Sequence, residues 1–174
     1  MDARMGACIA SAAFVVAAAL EPNQEGPWLT CSMLALCLVF HGGIALVIRR
    51  NMVIGSYSCV ACSSGSEETL YHLFFGCHFS KASWRVLGIS WNPSASVIDM
   101  IRDARQLFGL KIFREIVIVA CWCIWTHRNA IIFDGASVSF SRWRKTFKAE
   151  LSLISHRAKA SLKLELDSWL CNFP

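Results

Sequence analysis

Four residues in the first half of the chain have side chains that bind soft metal ions: Cys59, Cys62, His72 and Cys77. Their spacing is Cys, two residues, Cys, nine residues, His, four residues, Cys. Two cysteines separated by two residues can turn both thiolates toward one ion in a tight knuckle, and a later His and Cys pair completes a tetrahedron. Three sulfurs and an imidazole leave no open position for a catalytic water, so the set predicts one structural zinc ion that contributes folding energy and no Lewis acidity. His78 stands beside Cys77 and competes for the fourth place, but binding through both neighbours would be strained, which ranks His72 first.

The segment between the ligands fits this geometry. Ser63-Ser64-Gly65-Ser66 reads as a flexible turn, and Glu67 to Phe75 as a short helical or extended piece that carries His72 inward, with Leu70, Leu73 and Phe74 packed beside it. The chain has nine cysteines, an odd number, and Cys8, Cys31, Cys37, Cys121 and Cys123 lie in apolar runs where a free thiol behaves as a small hydrophobe. That argues against a disulfide framework. A reducing intracellular setting, nuclear or cytoplasmic, suits thiolate ligands.

Read together, Cys59-Val-Ala-Cys62, Glu67-Glu68-Thr69, His72-Leu-Phe-Phe75, Cys77 and Trp84 resemble the zinc-binding domain found after the reverse transcriptase of plant non-LTR (LINE-type) retrotransposons. Arg49-Arg50-Asn51-Met52 upstream, and Trp125-Thr-His-Arg128-Asn129 followed by Ile131, Ile132 and Phe133 downstream, extend the likeness over roughly residues 49 to 150. The resemblance implies a retrotransposon-derived module, a fragment or domesticated remnant, with RNA or DNA as its partner. It departs before residue 49, where the family has a helical lead from the polymerase. The five Asp residues are scattered, with no adjacent pair to match the polymerase's catalytic aspartates. No convergent carboxylates for two-metal phosphoryl transfer, no phosphate-cradling glycine loop and no Ser, His and Asp set appear, so a non-catalytic protein is expected.

The elements that must hold this site divide at residue 49. Residues 1 to 48 carry four charged side chains, Asp2, Arg4, Glu21 and Glu25, and two apolar runs. Ala7 to Leu20 resembles a signal-peptide core. Trp28 to Ile48 is uncharged over 21 residues and is followed by Arg49-Arg50, the pattern of a membrane helix with a basic cytoplasmic flank. His41-Gly42-Gly43 interrupts it, and a buried helix is the competing reading. Residues 1 to 48 are thus an apolar helical segment and a membrane anchor through residues 28 to 48 stays open. In that alternative, the zinc domain scaffolds a protein-interaction surface.

Residues 49 to 174 read as a mainly helical zinc-binding domain, a small Cys3His knuckle followed by a helical bundle of three helices. Ser96 to Gly109 is amphipathic, with Ser96 and Asp99 at its start, Gly109 at its end and Val97, Ile98, Ile101, Ala104 and Phe108 on one face. Ile112 to Phe133 is apolar nearly all round and long enough for a buried helix. Cys121 and Cys123 within it point apart on a helix, as core residues do. From Ser141 to Leu170, Trp143, Phe147, Leu151, Ile154, Ala158, Leu162, Leu166 and Trp169 recur at three- and four-residue steps, which predicts one helix of about eight turns. On that helix Lys145, Lys148, Lys159 and Lys163 would form a basic stripe for nucleic-acid phosphates. The net charge of +5 is concentrated in this later part. Phe74, Phe75, Phe79 and Trp84 near the ligands are candidates for base stacking, with core packing as the stronger reading.

Overall fold

The computed structural model describes residues 58–174. The apolar runs at 7–20 and 28–48, and the boundary placed at residue 49, lie outside the described residues. Within them the protein is helical: a π-helical turn His72–Gly76, then α1 (His78–Val86), α2 (Val97–Phe108), α3 (Phe113–Phe133), α4 (Phe140–Arg157) and α5 (Ala160–Asn172). A single antiparallel bridge, Ser58 to Glu67, is the only β pairing among the described residues.

The centre is α3. Its sequence carries apolar side chains on every side, and Phe113, Ile116, Val117, Ala120, Cys121, Cys123 and Ile124 are all buried. By length and composition this helix could cross a membrane, yet most of it is enclosed by the rest of the protein. The π turn and α1 pack on one part of α3, and α4 on another. Phe79 of α1 stacks on His127 of α3 with ring centroids 4.7 Å apart, and its edge meets Trp143 of α4 at 6.5 Å. These contacts tie the ligand-bearing turn to the bundle.

The first predicted helix has the ends its sequence specifies. The Ser96 hydroxyl accepts the Asp99 N–H at 3.2 Å, and Gly109 closes α2 in the left-handed region at φ 72°. Its buried face differs from the expected one: Met100, Ile101 and Ala104 point inward, while Val97 and Ile98 are more than half exposed. Ile98 lies about 120° round the helix from Ala104, whereas Val97 shares that face and is exposed as the first residue of the helix.

The expected eight-turn helix is two helices. The chain is extended at Ala158 (ψ 155°) and Lys159 (ψ 150°), and α5 runs back along α4. Phe147 of α4 lies 5.2 Å from Phe173 and 6.1 Å from Trp169, and Ser155 donates to Asp167 across the hairpin. A straight helix of that length would carry Leu166 and Trp169 away from Phe147. Folding back lets Phe147, Leu151 and Leu166 bury one another. The sequence contains no Gly or Pro at the bend to announce it.

Candidate metal centre

Local structure brings the four ligand residues together in two pairs. The first pair sits on a closed loop. Cys59 N–H donates to Ser66 O at 2.9 Å, and the Ser58–Glu67 bridge lies beside it, so residues 59 to 66 form a knuckle with both ends fixed. The second pair is set by the π turn. Thr69 accepts the His72 N–H on its hydroxyl at 3.0 Å, and Cys77 N–H returns to His72 O at 2.6 Å, joining the backbones of two ligands directly. Turns of this wide type are uncommon and concentrate at functional sites.

The ligand atoms of Cys59, Cys62, His72 and Cys77 all lie within 4.8 Å of one another. Cys59 Sγ is 3.8 Å from Cys77 Sγ, and Cys62 Sγ is 3.4 Å from His72 Nε2. Tetrahedral zinc with bonds of about 2.3 Å to sulfur and about 2.0 Å to nitrogen places two sulfurs about 3.8 Å apart and sulfur and nitrogen about 3.5 Å apart. These two separations are close to those values, and the four residues could hold a metal ion. His78 is exposed and stands outside the cluster, and His72 is its fourth member.

The electrostatics also favour thiolate. Cys77 is the residue before α1, and the N–H groups of Ser80 and Phe79 face its sulfur at the positive end of the helix. Its pKa is lowered to about 5, first by the hydrogen bond from the Cys59 thiol and further by these amides, against the cost of burial. Cys59 is shifted the opposite way, mainly because it gives its proton to that bond and is buried. A divalent ion between the two sulfurs would favour the thiolate form of both.

A buried ion pair supports the knuckle from outside. Arg128 of α3 holds Glu68 Oε1 through Nε at 2.7 Å and Nη2 at 2.6 Å, with both side chains about nine-tenths buried. The guanidinium lies 5.5 Å from the centre of the Trp125 ring and also donates to Asn129 Oδ1 at 3.2 Å. The resemblance drew on Glu67-Glu68-Thr69 and Arg128-Asn129 as separate words; the fold joins them through Glu68 and Arg128. Thr69 caps the His72 turn and Glu68 anchors it to α3.

The other candidate residues are more dispersed. Lys145 and Lys148 are exposed on α4, Lys159 is exposed at the bend, and Lys163 is partly covered on α5. The bend removes the single helix on which they were to form one stripe. None of the four makes an ion pair among the described residues. Phe74, Phe79 and Trp84 are core residues, and Trp84 Nε1–H donates to Phe74 O at 2.6 Å. Phe75 alone of that group stays partly accessible. Cys121 and Cys123 are buried in α3, with burial pushing the Cys123 thiol up.

Compared with known protein families, curated proteins and solved structures, the chain matches none. The class that fold and site define is a mainly helical protein with a Cys3His metal-ligand cluster.

Proposed function

We propose that the protein is a non-catalytic zinc module, similar to the zinc-binding domain that follows the reverse transcriptase of plant LINE-type retrotransposons, and that it associates with nucleic acid. The observation that carries the reading is the meeting of Cys59, Cys62, His72 and Cys77 within 4.8 Å. Three thiolates and one imidazole suit zinc better than harder ions such as magnesium or calcium. All four positions are supplied by protein, so the ion has no vacancy for a substrate or an activated water. Its role is to fix the knuckle against α3.

Nucleic-acid association is supported by the net charge of +5 and by basic side chains on α4 and α5 that have no acidic partner among the described residues. Zinc analysis of the purified chain, followed by binding to labelled oligonucleotides over a salt series, tests both parts. One zinc per chain and an affinity that falls as salt rises support the reading. Absence of stoichiometric zinc, or binding indifferent to salt, would sink it.

A further inference from the structure

From Thr69 to Ile98 the chain contains no carboxylate, although Glu68 and Asp99 border the stretch on either side. Its cations are on α1, the helix that starts at the ligand Cys77. Lys81 and Arg85 are both exposed, four residues apart and so within about 40° of each other around the helix. Neither forms an ion pair or a side-chain hydrogen bond among the described residues.

Beside this helix an aromatic ladder leads from the core to the surface. Trp84, on the inner side of α1, meets Trp91 edge to face at 5.2 Å; Trp91 meets Phe75 at 5.2 Å; Phe75 meets Tyr71 at 5.7 Å. Trp84 is buried, Trp91 and Phe75 are half-buried, and Tyr71 is 45% exposed. Tyr71 directly precedes the ligand His72, so its position depends on the same turn that forms the metal cluster.

We infer that this ladder, Tyr71 with Phe75 and Trp91, together with Lys81 and Arg85, is a binding surface for a single-stranded polynucleotide. The inference rests on the proposed nucleic-acid association and adds where and in what form the strand is held. Aromatic faces accept bases that are unpaired and unstacked, while neighbouring cations track the phosphates. A duplex keeps its bases covered and gains nothing from Tyr71. The backbone that both RNA and DNA share is what Lys81 and Arg85 contact. Tyr71 and Phe75 belong to the turn that carries His72, and Lys81 and Arg85 to the helix that begins after Cys77, which links strand binding to metal occupancy.

The test is fluorescence anisotropy of the zinc-loaded full chain with a labelled mixed-sequence 20-mer, as single-stranded RNA, single-stranded DNA and the matching DNA duplex. Tyr71→Ala is expected to weaken single-strand binding about tenfold, and Tyr71→Phe to leave it within about twofold, because stacking needs the ring and not the hydroxyl. K81E with R85E removes two phosphate contacts and lowers the slope of log affinity against log salt by about 1.4. K145E with K148E tests the α4 lysines as the competing surface, with zinc content and far-UV circular dichroism checked for every variant. Should the wild-type chain bind no oligonucleotide, both this surface and the association itself are overturned. Should it bind, but lose affinity with K145E/K148E and not with Tyr71→Ala or K81E/R85E, the association stands and this surface is wrong. Duplex binding as tight as single-strand binding also overturns it.

Discussion

Arg128 and Glu68 meet across 60 residues of sequence, with two guanidinium nitrogens on one carboxylate oxygen. The pair joins the metal-bearing loop to the central helix. Because both side chains are buried, removing one strands the charge of the other. Arg128→Met is expected to cost about 3–5 kcal/mol in urea unfolding of the zinc-loaded chain. The double substitution E68M/R128M leaves no uncompensated charge and should cost less than Arg128→Met alone. Equal or greater loss in the double variant would show that the pair contributes by packing and not by charge.

The bend between α4 and α5 makes a prediction that a continuous helix would reverse. Lys159 has φ −61°, close to the value proline imposes, and the preceding Ala158 is already extended. Lys159→Pro should therefore leave stability unchanged or raise it by about 0.4–1 kcal/mol, read as the urea midpoint. In a straight helix the same change would cost about 3 kcal/mol.

His127 is buried against the Phe79 ring and accepts the Ser139 N–H on Nε2 at 3.2 Å. Burial first, and Arg142 second, lower its pKa to about 4 from the usual 6.5. The unfolded chain then binds the proton more readily than the folded one between these values. Stability is at its full value above pH 6.5 and declines as pH falls toward 4, by up to about 3 kcal/mol. An NMR titration of the imidazole protons checks the value directly. A midpoint near 6.5 in the folded chain would contradict the buried, neutral ring.

The ends of α2 were legible because local chemistry sets them. Ser96 caps and Gly109 stops the helix without help from elsewhere, and Gly109→Ala should cost about 1 kcal/mol at φ 72°, measured by thermal unfolding. The ligand set was legible for a related reason: metal chemistry restricts residue type and spacing, so Cys59, Cys62, His72 and Cys77 stand out before any fold is known.

What was not legible depends on tertiary contact. Glu68 and Arg128 are ordinary charged residues in sequence, and only the packing of the His72 turn against α3 pairs them. The bend at Ala158 has no breaker residue, because its cause is the burial that Phe147 and Leu166 gain by folding back. The same bend divides Lys145 and Lys148 from Lys159 and Lys163. Periodicity records which face is apolar and does not record whether the helix under it is continuous.

The central claim is that Cys59, Cys62, His72 and Cys77 together hold one structural zinc. Elemental analysis of the full chain, purified under reducing conditions with and without Cys62→Ser, tests it most directly. The account predicts about one zinc per wild-type chain, loss of that metal in the variant, and loss of helical structure when a chelator removes it. A wild-type chain that is fully helical with no bound metal, or a variant that retains the full equivalent, would contradict it.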